Sequence, residues 1–468
     1  MKTSLIISVL TIWFLFVLPL HSKAQVGLWS SAAELSYKPM SGPAWDAVKN
    51  AADQNFYPPV IENNNHPSNV YALAAGIVYA RLVTEQGREP EAEMYKNRII
   101  QVVEHLIADG IPDDCPNNPD DCNTLRWARN TGAFVLAADL VGYKTEEFNA
   151  WCRNMAEVWI ASDGRTLLQM FKERASNWGA MAFGSLCAIY AYLQDTTRLN
   201  EIRDYWIKGI MGPNPCYTNY TKDLSWQFDP DDPRIINPKD AVKQGLIIDG
   251  VIPVDQRRSG SFQIPPNYTN YHWGHLQGLI TAARILERVG LSIWAIGDSA
   301  IYRAAYHYQV SWEQEFGGFM ARGDDEWLLP FLDDAYGTKW AQNQERLWEH
   351  GKIAGWPYVV EKSMVKIEDS NDNAIPFKFN LYQNYPNPFN SNTTFFNSLS
   401  QSEHVSLKVF NIKSEIVAIL VDDILNVGLN KYHWNGIDFN GNAVSSGIYF
   451  CRLQAGSCVK KIKIILIR

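Results

Sequence analysis

Two textures of hydrophobic and polar residues divide the chain near residue 365. Before that point apolar residues recur at helical spacing over long stretches. Beyond it they alternate in short runs broken by Gly and Asn. In the first part, four segments share one layout: a polar, aromatic or arginine-bearing entrance, then a helix of small residues. They open at His66-Pro-Ser-Asn, Arg129-Asn-Thr-Gly, Asn177-Trp-Gly-Ala and Tyr271-His-Trp-Gly. More charged amphipathic helices are predicted between them, over 91–109, 146–162 and 198–209. Small residues let helices approach closely and suit an inner ring; the charged helices suit an outer one. The pattern therefore predicts a mainly α fold, an (α/α) toroid of helical hairpins, with the inner-helix N-termini gathered at one end. Free N–H groups and partial positive charge at those termini favour anionic ligands.

In the second part, residues 405–410, 416–420 and 448–453 alternate with period two, and Gly436, Gly441 and Gly447 mark turns. These runs predict a small antiparallel β-sandwich. A polar stretch after Asp369 places a linker at 366–378, with the helical domain over 25–365 and the sandwich over 379–468. At the other end, Lys2, an apolar run over 5–20 and the small residues of Ser22-Lys23-Ala24 read as a secretory signal peptide, 1–24. No later segment is long and apolar enough to span a bilayer, so the expected product is secreted or attached to the outer surface and is not an integral membrane protein.

Composition adds three constraints. The 468 residues are 46% apolar and 20% charged, which suits globular domains. Seventeen tryptophans suit stacking on sugar rings as well as cores. A net charge of −8 argues against a nucleic-acid partner. Of seven cysteines, Cys115 and Cys122 flank a loop and suit a local disulfide, and Cys451 and Cys458 suit a pair across a hairpin. Cys152, Cys187 and Cys216 are left over, and no CxxC or Cys/His metal spacing appears. His272 and His275 lie three apart but lack a third ligand, so no metal site is assigned; a structural Ca²⁺ stays open.

Cleaving an acidic glycan by elimination demands a group that neutralises the uronate carboxylate, a base for the C5 proton and an acid for the leaving oxygen. The helix entrances supply such types: Asn177, Arg129 with Asn130, Tyr271 with His272, and His66. The pair Arg257-Arg258 lies in a Gly- and Pro-punctuated loop that leads into Tyr271, and a guanidinium pairs a sugar carboxylate bidentately. Glu173 either lines the cleft or pairs with Arg174. Trp226 either stacks on a sugar or anchors its loop. The acidic run Asp324-Asp325-Glu326 either caps a helix, holds an arginine or binds a cation.

Two resemblances follow. Asn384-Tyr-Pro-Asn-Pro-Phe-Asn390, Trp434-Asn-Gly-Ile-Asp438, Ser446-Gly-Ile-Tyr-Phe450 and the basic-apolar C-terminus are similar to the C-terminal sorting domain of the type IX secretion system, which implies that machinery as a partner. The Asn177-Trp178 entrance and the Arg258…Tyr271-His272 segment resemble the alginate-lyase superfamily of (α/α)-toroid polysaccharide lyases. That resemblance implies Asn177 and Arg258 as neutralisers and Tyr271 as acid or as both acid and base. The family's Asn-Asn-His is here Ser176-Asn177-Trp178, so the base role shifts to Tyr271, His272 or His66. The expected activity is β-elimination on a uronate polymer such as alginate or a glucuronan-like chain, with Arg129, Asn130, Glu173, Trp178, Trp226 and Arg257 contacting substrate and no organic cofactor. Two rivals stand beside it: a glycoside hydrolase using Glu173 with Asp255 or Asp324 with Asp325, and a glycan-binding surface protein without catalysis.

Overall fold

The computed structural model describes residues 27–63, 65–110, 124–158, 164–212, 223–343, 350–360, 379–381, 384, 389–390, 393–399, 402–425, 428–439, 441–456 and 458–467. The signal peptide, the linker and Cys115, Cys122 and Cys216 lie outside them.

The first part is helical: α1 (Ala32–Leu35), α2 (Pro43–Asp53), α3 (Ser68–Leu82), α4 (Glu89–Asp109), α5 (Thr124–Leu140), α6 (Glu146–Glu157), α7 (Leu167–Glu173), α8 (Asn177–Tyr192), α9 (Thr196–Met211), α10 (Pro253–Gln256), α11 (Tyr271–Arg288), α12 (Ile296–Tyr306), α13 (Trp312–Phe316) and α14 (Leu328–Tyr336). The expected outer helices start where side chains satisfy the first free N–H groups. Thr145 accepts from Phe148 N at the start of α6, and Asp195 accepts from Arg198 N at the start of α9. The first of these ends at Glu157 rather than at 162, because Val158 turns extended.

The four small-residue helices are α3, α5, α8 and α11, and each packs on the next. α3 and α8 are buried almost all round, as helices between two layers must be. Glycines set the closest approach: a Cβ on Gly278 of α11 would overlap the backbone of Ala180 in α8. On their outer side, α4 packs against α3 and α9 against α8. The row of inner helices returns on itself through residues 351–359. Gln277 of α11 accepts from Lys352 N (2.7 Å), Asn69 of α3 donates to Lys352 O (3.3 Å) and Trp356 Nε1 donates to Val70 O (2.8 Å). Glu34, just after the start of the described chain, meets Arg288 at the far end of α11 (2.8 Å).

The second part holds two antiparallel sheets with strands β3 (Asn380–Leu381), β4 (Thr393–Leu399), β5 (Glu403–Phe410), β6 (Ile416–Leu425), β7 (Gly428–Trp434), β8 (Gly447–Ala455) and β9 (Cys458–Leu466), after a short hairpin β1 (Val242–Lys243) and β2 (Leu246–Ile247) in the helical part. The orders are β3-β4-β7 and β6-β5-β8-β9. Side chains from both sheets, among them Phe395, Leu407, Trp434, Cys451 and Ile464, fill one core, which makes the pair a sandwich. That core is separate from the helical one. The expected Cys451–Cys458 pair does not form. Cys451 faces Ile462 and Cys458 faces Ala455 across β8 and β9; Cys451 is buried while Cys458 is exposed. The register places the two sulfurs on different rungs of the ladder.

Candidate active site

The start of α11 is the meeting point. Tyr271, its first residue, is 39% exposed, and the guanidinium of Arg258 lies over its ring at 3.8 Å from the centroid. Among the described residues Arg258 makes no ion pair, so its charge is free to meet a ligand. Arg129, from the second turn of α5, acts electrostatically on Tyr271, Asp324 and Asp325. Its burial depresses its pKa, and those three groups oppose the depression. Asp324 in turn pairs with Lys352 (3.1 Å), and these two line a small cleft with His66, Asn69 and His350. A connected row therefore runs Arg258, Tyr271, Arg129, Asp324, Lys352, His66.

Beneath that row lies Asp325, buried and hydrogen-bonded to Gln277 Nε2 (2.7 Å). Burial first, and the neighbouring Asp324 charge second, push its carboxyl up to about 7, while hydrogen bonds from Gln277 and Asn270 oppose the shift. Asp325 is thus poised to hold a proton at neutral pH.

A second constellation ties three elements together. Asp255, fully buried on α10, accepts the N–H of Asn177 at the start of α8 (3.0 Å) and meets Nδ1 of His275 on α11 (2.9 Å). It does the capping that Ser176 does not do. Two residues later the chain delivers Arg257 and Arg258, so the same carboxylate fixes the arginine loop, α8 and α11. Asn177 is itself buried and packs beside Gly274, one turn after Tyr271 on α11. Its Oδ1 has no hydrogen-bond partner among the described residues.

Several expected contact residues turn out to have other work. His272 is fully buried, stacked on Tyr308 at 3.7 Å, and burial lowers its pKa to about 3. It is a neutral core ring with no open face for a sugar. Asn130 is buried and donates to Ile61 O (2.8 Å), holding the loop before α3. Trp226 is 1% exposed, donates to Gly260 O (2.8 Å) and packs on Phe262 and Trp312, which makes it the loop anchor. Glu173 pairs with Arg165 (3.3 Å), and the Arg174 guanidinium lies over Trp178 (5.3 Å). Because Asp255 is sealed inside, Glu173 and Asp255 cannot face each other across a cleft. Arg257 is half-buried and acts on Asp223. Among the described residues no cluster of His, Cys, Asp or Glu can hold a metal ion.

The sequence did not point to Asn270, Gln277, His350 and Lys352. None carried a usable hint: even Gln277, six residues after Tyr271, lies about 120° round a helix from it at 3.6 residues per turn.

Residues 383–468 match the model of the secretion system C-terminal sorting domain. No curated protein matches the chain. A surface component of the type IX secretion system of Porphyromonas gingivalis is similar over 19% of this chain and 11% of its own, with 21% identity and a TM-score of 0.15. The present chain thus spans about a tenth of that protein's length. A Pseudomonas fluorescens alkylpurine DNA glycosylase, bound to DNA with an abasic-site analogue, is similar over 88% of this chain and 99% of its own, with 11% identity and a TM-score of 0.15. Both scores are too low to carry any argument about the helical part. Among the described residues no helix is long and apolar enough to cross a membrane. Residues 383–468 are a secretion system C-terminal sorting domain, and through it the chain is exported by the type IX system and attached to the cell surface or released.

Proposed function

We propose that the helical domain is a polysaccharide lyase that cleaves a uronic-acid-containing glycan by β-elimination at the start of α11. The observation that carries this reading is the unpaired Arg258 guanidinium stacked over the half-exposed Tyr271, with Arg129 acting on the same phenol. A uronate whose carboxylate meets Arg258 would present its C5 proton and its glycosidic oxygen near the Tyr271 hydroxyl. Neutralising the carboxylate lets negative charge flow into it as the proton leaves. In a mannuronate or glucuronate, where the C5 proton and the C4 oxygen lie on the same side of the ring, one phenol flanked by cations can take that proton and return it to the leaving oxygen. His66 opens on the neighbouring cleft and is the second base candidate. Asn177 lies close to this turn but buried, and supports α11.

A specific observation favours one rival. Asp325, whose carboxyl is pushed up to about 7 by burial and by the neighbouring Asp324 charge, has the raised pKa of a hydrolase acid. The test is incubation of the secreted protein with a panel of acidic polysaccharides. Elimination leaves a C4=C5 bond conjugated with the carboxylate and raises ultraviolet absorbance as new reducing ends form. Reducing ends without absorbance would establish hydrolysis instead. Binding with neither product would leave a glycan-binding surface protein.

A further inference from the structure

We infer that the preferred substrate is a glycan in which single uronates are separated by uncharged sugars, not a polymer of uronate alone. This rests on the elimination reading of the Tyr271 site. At the centre, Arg258 is free of any ion pair among the described residues, and Arg129 acts on the same Tyr271 phenol. One uronate carboxylate is therefore well served there.

The flanks differ. In the small cleft beside His66 the cation is Lys352, already matched by Asp324 at 3.1 Å, and Asp324 also offsets Arg129. Its carboxylate is about a third exposed, so it faces whatever occupies the neighbouring subsite. Tyr268, three residues before Tyr271 in the chain, is 49% exposed and held edge-on by His272 and Phe319. The charges that act on it are Asp325, Arg322 and Glu313, and Arg322 is matched by Glu313 at 3.8 Å. An aromatic face with internally neutralised ions suits the apolar face of an uncharged sugar.

In a homopolyuronate every ring brings a carboxylate. Carboxylates on the neighbouring rings would be repelled by the partly exposed Asp324 and Glu313, an effect that added salt weakens. Their cations would have to break existing pairs to help. In an alternating glycan the flanking rings carry no charge, and the same acidic groups accept hydrogen bonds from hydroxyls. Discrimination comes from a repulsive element as well as an attractive one. The protein's net charge of −8 adds a weak general bias against dense polyanions.

The test compares initial rates of double-bond formation by the full exported chain on polymannuronate, polyglucuronate and an alternating glycan with one glucuronate per disaccharide, at equal uronate concentration. We expect kcat/KM at least about tenfold higher on the alternating glycan. Equal or faster cleavage of either homopolymer overturns the inference while leaving the elimination reading intact. Absence of the chromophore from all three polymers sinks that reading itself, and the inference with it. Asp324→Asn, whose folding is checked by its melting temperature, should narrow the ratio several-fold toward the homopolymers. A ratio that stays unmoved would show that Asp324 is not the discriminating group.

Discussion

At the scale of single residues, the proposal concentrates on one hydroxyl. Tyr271→Phe keeps the ring under Arg258 and removes only the proton-transferring group, and that ring is half-exposed. The expected result is a loss of roughly 10²-fold or more in kcat, of the size that general acid–base groups contribute, with the melting temperature unchanged. Steady-state rates and a thermal melt on one preparation check both halves. Two kinds of buried group near the site, histidine and carboxyl, titrate in opposite senses, and single variants separate them. His272 and His307 are both held neutral by burial, with pKa lowered to about 3. The unfolded chain gains protons there from about pH 6.5 downward while the native chain does not, so this pair costs stability as pH falls from about 6.5 to 3. Asp325 behaves inversely. Its folded pKa is raised to about 7, so the native state keeps a proton that the unfolded chain has lost, and stability falls as pH climbs from 3.8 to about 7. Asp325→Asn keeps an acceptor for Gln277 Nε2 and removes that slope. Urea midpoints should show this variant gaining on the parent as pH rises from 5 to 8. His272→Phe, which preserves the stack on Tyr308, should instead gain on the parent as pH falls from 6.5 to 4. Parallel pH profiles for parent and variant would contradict either assignment.

At the scale of elements, the small-residue helices are where sequence and structure agree most closely. The same positions that marked α3, α5, α8 and α11 as inner helices are the ones whose backbones nearly touch. Gly278→Ala states the case sharply. Alanine is the better helix former by about 1 kcal/mol. Yet its Cβ would strike the Ala180 backbone, and overpacking of a closed core costs about 1–3 kcal/mol. We expect net destabilisation in a denaturant melt; a stabilised protein would mean that α8 and α11 are farther apart than described. The candidate site was less legible, and the reason is physical. Arg258 and Tyr271 were readable because one loop carries both into one helix start. Lys352 was not, because it reaches the cleft from a segment distant in sequence that closes the row of helices. Burial was equally hidden. Trp226, Asn130 and His272 are polar-capable residues at helix entrances or loops, and periodicity cannot tell an entrance that opens outward from one folded under its neighbours. Asp255 shows the same effect from the other side. It read as one candidate carboxylate of the rival hydrolase, yet it is the internal cap of α8 and the partner of His275.

At the scale of the whole molecule, two hydrophobic cores serve two purposes. The helical core carries the candidate site, and the sandwich core carries the export address. No residue of the sandwich takes part in the row from Arg258 to His66, so transport and chemistry are separable in principle. The sandwich's edge strand β9 presents Lys460, Lys461 and Lys463, charges that discourage strand-to-strand aggregation. Deleting 379–468 removes one complete core and leaves the other unbroken. The deleted protein should therefore stay inside the outer membrane, while its kcat on an acidic glycan, measured after purification from cell extract, matches that of the full chain within about twofold, because distant sites act additively. Fractionation and rate assays on one pair of strains give both answers. Export without the sandwich would remove its role as the address. Retention with lost activity, in a protein whose melting temperature is unchanged, would mean that the sandwich reaches into the catalytic cleft.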